Sequence, residues 1–521
     1  MLDNTDTNRT LPAMTAMLRT EVVPEELALT LVFHPDTHRI GQRAVVPKCS
    51  ATAPWVMGRC SPDFGQGEEH GAAPLLDLHI SRRALQFDYS GGQLLLHRLQ
   101  GASRCRVAGS ELYDFTSLGQ DELRAGVPLL LGHSIVLLLR LVKVGLPAIV
   151  KPVADDFLRG SSPCMQGLRE HLATVAASDL DVLIRGETGT GKELAATAIH
   201  RASRRNTGPL VNVNMSAIPR ELAPAALFGS ARGAFTGADR AAPGYFDQAA
   251  GGSLFLDEIG DTFAEVQPQL LRALQQREVQ SVGGPVRHVD VRVIAATDAD
   301  IDSHDCGFKA ALRHRLGACE ILMPALREHP EDVGELLLFF LQKSVHEQGR
   351  SALLPHAQSR ALDIAAWASL FFSFLCYRWP GNVRELANAA QQLVLASTTT
   401  PVLTDSLRST LSGIGDSNVS SQLPPRRRMQ DIENDQFDQA MLSSGFEPLG
   451  VARLLGVSRT AVYRRIEASG GRYRLANQIP QDELQSALAE HAGSSRAVAA
   501  QLRVSLNSLR NRLRQLPLDW H

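Results

Sequence analysis

Several absences bound what this chain of 521 residues can be. Its seven cysteines, Cys49, Cys60, Cys105, Cys164, Cys306, Cys319 and Cys376, form no CxxC pair, which argues against a zinc site or a disulfide framework and fits a reduced cytoplasm. The start, MLDNTDTNRT, has no basic segment followed by an apolar core, so no secretory signal is expected. The most apolar stretch, Ile364 to Tyr377, is too short for a membrane span and reads as a buried helix. Neither charge sign dominates: 53 Lys and Arg against 55 Asp and Glu leave a formal net charge of -2, so any nucleic-acid surface must be local. The length suggests about three or four domains.

What is present is a phosphate-binding loop. Asp181-Val182-Leu183-Ile184 reads as an apolar strand that runs into Gly186, Glu187, Thr188, Gly189, Thr190, Gly191, Lys192 and Glu193, with Leu194-Ala195-Ala196 opening a helix behind. Backbone N–H groups of such a loop face the phosphates of ATP, and Lys192 reaches the outer ones. Glu193 stands where a magnesium-holding Ser or Thr is usual. Downstream, Gly251 to Glu258 reads as a buried strand that delivers Asp257 and Glu258 at its carboxyl end, where an open parallel sheet places its ligands. Asp257 suits Mg2+ and Glu258 the attacking water. Between the two motifs lie Gly233, Ala234, Phe235, Thr236, Gly237 and Ala238. Nucleotide binding does not require that pattern, but a mobile loop presenting an apolar tip to a partner does.

On these residues the chain resembles the bacterial enhancer-binding proteins, AAA+ activators of sigma-54 RNA polymerase, over roughly Ser161 to Thr398 and again at the C-terminus. The resemblance implies that Gly233 to Ala238 engage sigma-54. It implies that Asn214, at the end of the strand Leu210 to Asn214, switches Glu258, although an asparagine there also suits a helix cap. In Phe308 to Leu316, Arg315 falls on the family's trans-acting arginine finger and Lys309 on a second finger, with charge but no planar fork. A finger acting in trans implies a homo-oligomeric ring, a hexamer by family expectation. Asp298 replaces the asparagine that senses the γ-phosphate, and Ser230 and Ala231 replace a His or Tyr and a Glu. Trp379 to Leu386 matches the sensor II helix, with Arg384 facing the nucleotide.

The N-terminal part carries short β-favouring runs at Leu27 to Phe33, Ala44 to Val46, Gln93 to Leu96, Cys105 to Val107 and Ile135 to Val142. They suggest an all-β sandwich, with residues 47 to 74 as a long loop. His38 to Arg43 and Ile80 to Arg83 make it similar to a forkhead-associated (FHA) domain, which implies phosphothreonine contacts by Arg43, Ser81 and Arg82. Arg43 stands one place late for that motif, and Ala84 replaces its histidine.

After a polar linker, Phe437 to Glu467 reads as two helices joined at Leu455-Gly456-Val457-Ser458, a helix-turn-helix similar to the Fis type, with Ala452, Leu455, Val457, Val462 and Ile466 as its core. Arg459, Thr460, Tyr463 and Arg464 are free to meet DNA. Ala440 to Ile466 slides in register onto Ala487 to Leu513, a second unit for DNA or for packing, with Asn507, Arg510 and Asn511 on its outer face. This end is locally basic, as phosphate neutralisation needs.

The expected architecture is therefore multidomain. Residues 1–26 are a flexible terminus, 27–150 an FHA-like β-sandwich, 155–325 an α/β P-loop ATPase and 326–398 its α-helical lid. A linker over 399–430 leads to all-α helix-turn-helix units at 431–470 and 480–516. The expected function is sigma-54-dependent activation of transcription, with ATP and Mg2+ as ligands. Enhancer-like DNA, sigma-54 RNA polymerase and a phosphothreonine protein are the expected partners, with no membrane. No receiver domain is apparent, so control by a phosphoprotein or another partner is expected.

Overall fold

The structure is a computed structural model that describes residues 25–66, 70–143, 158–234, 240–302, 307–350, 353–356, 358–398 and 400–412, with scattered positions between 432 and 509. The expected flexible start (1–24), the loop tip Phe235, Thr236, Gly237 and Ala238, and the recognition residues Arg459, Thr460, Tyr463 and Arg464 lie outside the described residues, as do Asn507, Arg510 and Asn511. The chain divides into one unit spanning residues 1–414 and a second spanning 415–521.

Twelve strands build the sandwich among the described residues: β1 (Glu25–Phe33), β2 (Arg43–Val45), β3 (Trp55–Met57), β4 (Phe64–Gln66), β5 (His70–Ala73), β6 (Leu85–Ser90), β7 (Gln93–Arg98), β8 (Cys105–Val107), β9 (Ser110–Glu111), β10 (Phe115–Leu118), β11 (Val127–Leu131) and β12 (Ile135–Lys143), with a short helix α1 (Gln120–Ala125) before β11. One sheet runs β5-β4-β2-β1-β12-β11-β8-β9 and the other β10-β7-β6-β3. The expected β-sandwich is present, but two boundaries move. Glu25 and Glu26 already belong to β1, and residues 47–74 hold three short strands where one long loop was expected.

Both central strands are apolar on both faces. In β12, Ile135, Leu137, Leu139 and Leu141 point into the sandwich core, while Val136 and Leu138 join a different cluster with residues of the ATPase lid. Such doubly buried antiparallel strands need a cover on the second face. The lid supplies it.

The ATPase core alternates helices and strands: α2 (Pro163–Ala176), β13 (Val182–Arg185), α3 (Lys192–Ala202), β14 (Leu210–Asn214), α4 (Ala223–Phe228), α5 (Tyr245–Gln248), β15 (Ser253–Asp257), α6 (Gln267–Gln276), the hairpin β16 (Glu278–Gln280) and β17 (Val286–His288), β18 (Arg292–Thr297), α7 (Ala310–Leu316) and β19 (Glu320–Leu322). Its five-stranded parallel sheet runs β14-β15-β18-β13-β19. Helix α2 starts sharply because Pro163 fits the first turn and the Ser162 hydroxyl accepts the Met165 N–H at 3.1 Å.

The lid comprises α8 (Val333–Glu347), α9 (Ala361–Cys376), α10 (Asn382–Ala396) and α11 (Asp405–Ser412). A linker beginning at residue 399 is thus corrected: Leu407 and Leu411 of α11 are buried in the lid cluster, so helical packing continues to residue 412. Helix α9 contains the unusually apolar stretch 364–374. It packs on α8 and also on β1, β11 and β12, with the Phe371 and Phe33 ring centroids 4.9 Å apart and the Arg106 guanidinium 5.4 Å above the Phe372 ring. Most of α9 is covered by these neighbours, which its apolar composition requires, while Leu362 and Ser369 stay exposed. Helix α8 approaches β1 so closely that a Cβ on Gly334 would lie 2.4 Å from the Val32 carbonyl oxygen.

In the second unit, α12 (Asn434–Ser443) contributes Phe437, Ala440 and Met441 to a small core with Val451, Val462, Ile466 and Tyr473. A separate core joins Leu484 and Ala487 of α13 (Gln481–Glu490) to Val498, Ala499, Leu502, Val504 and Leu509. The paired positions Val451 and Val498, and Leu455 and Leu502, serve the same role in each.

Candidate nucleotide site

Strand β13 lies between β18 and β19, with Val182, Leu183 and Ile184 fully buried, and ends at the phosphate loop. Gly189 and Gly191 take φ of +83° and +96°, which turns the loop before α3 begins at Lys192. The Lys192 amine is folded over the loop, donating to the Gly186 carbonyl at 3.0 Å, and the Thr190 hydroxyl donates to the Glu187 carbonyl at 2.8 Å. Glu193 lies exposed on the first turn of α3.

Strand β15 delivers the two carboxylates. Asp257 Oδ1 accepts the Glu258 N–H at 3.1 Å, and Glu258 sits at φ +53°, a left-handed conformation uncommon for a non-glycine residue. Burial pushes the Glu258 carboxyl well above the usual range, helped by a hydrogen bond to Asp298 and by that residue's charge, with Lys192 opposing. Burial also works to raise Asp298. The Thr188 hydroxyl, the Glu258 carboxyl and Lys192 outweigh it and hold Asp298 ionised.

These groups fit a magnesium nucleotide. The loop has glycines where backbone must approach phosphate, the buried Lys192 amine is bonded to a backbone carbonyl of that loop, and Asp257 stands at the strand end beside Glu258, whose N–H its Oδ1 accepts.

Other expected residues are placed differently. The Asn214 side chain caps the following turn, its Oδ1 accepting the Ser216 N–H at 2.9 Å and the Ser216 hydroxyl at 2.6 Å, so the capping alternative describes this conformation. Glu187 belongs to the loop, but its carboxylate turns to Arg327 of the lid. Arg315 donates to the Leu274 carbonyl at 2.9 Å and lies 3.9 Å from Asp181, and Lys309 is exposed ahead of α7. The exposed Arg384 begins the sensor II helix, and its N–H donates to the Gly189 carbonyl at 3.3 Å. Gly233 and Ala234 emerge from a neck where the Ala231 N–H donates to the Val282 carbonyl at 2.9 Å, beside Gly283.

On the sandwich, the arginine beside Ser81 and Arg82 is Arg59. Its N–H donates to the Ser81 carbonyl at 3.0 Å, while Ser81 itself is paired with Ser103. Arg43 instead lies on β2, where its charge acts on Glu335 of the lid, and Arg39 ties its own loop to the Ala73 and Pro74 carbonyls at 2.7 and 2.9 Å. The expectation for Arg43 is corrected for that reason. Gly58-Arg59 directly follows the three-residue strand Trp55–Met57, inside the stretch expected to be a loop.

Residues 158–322 match the family model "Sigma-54 interaction domain" and residues 327–423 the model "AAA+ ATPase lid domain". The chain is 38% identical over 323 residues to the transcriptional regulatory protein ZraR of Klebsiella oxytoca, covering 61% of this chain and 70% of the relative. It is 37% identical over 362 residues to ZraR of Escherichia coli K12, covering 68% and 76%. It is also 36% identical over 351 residues to the DNA-binding transcriptional regulator NtrC of Proteus hauseri, covering 62% and 71%.

Proposed function

The chain belongs to the bacterial enhancer-binding proteins, the sigma-54-dependent transcriptional activators, and we propose that it couples ATP hydrolysis at the loop of residues 186–193 to movement of the loop tip at Phe235 and Thr236. The central domain is an AAA+ ATPase, and the chain is a sigma-54-dependent regulator of transcription. The observation that carries the catalytic assignment is the convergence of Lys192, Glu258 and Asp298 on the phosphate loop.

In this reading the loop N–H groups and Lys192 hold the phosphates, and Glu258 orients the attacking water and takes its proton. Asp257 would hold Mg2+, which when bound neutralises charge on the phosphate oxygens. Arg315 reaches the ATP of a neighbouring copy in a ring, a hexamer by family expectation, and stabilises charge there. Arg384 contacts the nucleotide from the lid. The neck at Ser230 and Ala231, bonded to Val282, carries Gly233 to Ala238 toward sigma-54 polymerase.

The C-terminal unit is proposed to bind enhancer-like DNA through Arg459, Thr460, Tyr463 and Arg464. Its two small cores support a duplicated helix-turn-helix. The sandwich is proposed to take a phosphothreonine segment at Arg59, Ser81 and Arg82. The direct test is open-complex formation by sigma-54 polymerase on an enhancer-bearing promoter. The parent should melt the promoter in an ATP-dependent way, and Thr236→Ala should hydrolyse ATP yet leave it closed. Melting by a Thr236→Ala chain would reject the loop assignment.

A second reading, favoured by the Asp298 contact with Glu258, is a DNA-bound regulator with impaired hydrolysis. ATP turnover that rises with protein concentration would reject it.

A further inference from the structure

Residues 187–189 of the phosphate loop are held from two directions. On the lid side, Arg327 donates from both terminal nitrogens to the Glu187 carboxylate, at 2.7 and 2.6 Å. Asn382 Nδ2 donates to Glu187 Oε2 at 3.2 Å and to the Thr188 carbonyl at 3.0 Å. Asn382 is fully buried at φ +53°, and its Oδ1 accepts the Leu326 N–H at 2.9 Å, which joins the start of α10 to the segment where the chain enters the lid. The Arg384 N–H completes the contact at the Gly189 carbonyl, where a Cβ on Gly189 would lie 2.3 Å from the Gly381 oxygen. On the core side, the Thr188 hydroxyl donates to Asp298.

The division of labour within the loop is informative. Its N–H groups are the phosphate-binding side. Its Thr188 and Gly189 carbonyls and the Glu187 side chain are bonded to the lid. A free carboxylate at Glu187 would repel an anionic ligand, and the Arg327 fork neutralises it while holding that carboxyl below its usual range. Both partners of the pair are over 40% exposed, at 42% and 46%, so it adds little to global stability. Its geometric role is the larger one.

We propose that Arg327 and Asn382 are positioning residues for ATP hydrolysis: they tether the lid to Glu187 and Thr188, so that phosphates seated in the loop set the lid angle and the approach of Arg384. Neither residue touches the reacting atoms. The inference rests on the ATPase assignment and adds to it the route by which the lid reads the loop.

The test uses the full chain and its Arg327→Ala, Glu187→Ala and Asn382→Asp variants, together with the exchanged pair Glu187→Arg/Arg327→Glu. Three readouts are taken: thermal midpoint, kcat and KM for ATP, and hydrogen exchange of residues 382–396 with and without ADP and Mg2+. In the parent, ADP should slow exchange across α10. In Arg327→Ala and Glu187→Ala that protection should vanish and kcat should fall about tenfold, with the midpoint near that of the parent. The exchanged pair should recover most of both, and Asn382→Asp, which keeps the Leu326 acceptor but loses both donors, should behave like Arg327→Ala. ADP protection of α10 retained in Arg327→Ala, kcat losses that track the thermal midpoint, or an exchanged pair no better than the single variants would overturn the tether. A parent chain that binds no nucleotide would count against the ATPase assignment itself.

Discussion

Arg140, on the closing strand of the sandwich, donates a 2.7 Å hydrogen bond to Glu331, a lid carboxylate whose side chain is only 2% exposed. Its other terminal nitrogen donates to the Glu328 carbonyl at 2.9 Å. With Phe33 against Phe371, this contact makes the β-sandwich part of the lid's packing. The sandwich thus rests on the element that carries Arg327, Asn382 and Arg384.

Removing the arginine alone leaves a buried charge without its partner. Arg140→Ala should cost about 3 kcal/mol in chemical unfolding, whereas Arg140→Met combined with Glu331→Leu should recover most of that loss. Additive losses in the double variant would show that the two side chains do not form an energetic pair.

Glu335 gives the sandwich and lid junction a pH dependence. Burial pushes its carboxyl up to about 7; the Ser161 hydroxyl donates to it, Asp332 adds to the rise and Arg43 opposes it. A carboxyl raised in the folded state contributes stability that is complete below its unfolded value and is lost as pH climbs through the folded one. Stability should therefore fall between about pH 5 and 8 by on the order of 2 kcal/mol more in the parent than in Glu335→Gln. Parallel stability curves from urea titrations would contradict this.

Asp298 places a carboxylate against Glu258 and Thr188 beside the expected phosphate position. Asp298→Asn removes that charge but keeps a hydrogen-bonding group, and kcat should rise several-fold, up to about tenfold. Steady-state ATP turnover decides it, with an unchanged or lowered rate assigning Asp298 a supporting role.

Arg315 bonds the Leu274 carbonyl of its own chain and is 40% exposed, which leaves it accessible to a neighbour. Arg315→Ala should lower turnover by about 10³ while nucleotide still binds. Mixing it with Glu258→Gln, equally inactive alone, should restore part of the activity, because a mixed ring pairs an intact Arg315 with an intact Glu258. Mixtures that stay silent while still assembling would place the arginine's action in cis.

On the sandwich, Arg59→Ala and Arg82→Ala should each abolish binding of phosphothreonine peptides by fluorescence anisotropy, and Arg43→Ala should not. Equal affinities across all three variants would remove this surface from phosphate recognition.

The readable parts of the site were those whose signal is local. A glycine-rich loop after an apolar strand, and two carboxylates at the end of another, are dictated by backbone conformation and strand burial over a few residues. Glu187 and Asn214 were read as nucleotide and switch residues, yet one side chain is drawn to Arg327, 140 positions away, and the other to its neighbour Ser216. Arg59 was overlooked because β3 and β4 are each three residues long, too short for periodicity to register.

The amino-acid sequence alone determined the phosphate loop and the family, since each is encoded in short runs whose chemistry is complete in itself. Only the tertiary structure decided why the stretch 364–374 is so apolar. The second faces of β1 and β12 and the outer side of α9 are both hydrophobic, and each gains a dry partner when the sandwich rests on the lid. The tether of Arg327 and Asn382 to Glu187 was decided there too, because its residues meet only when the lid folds over the sheet.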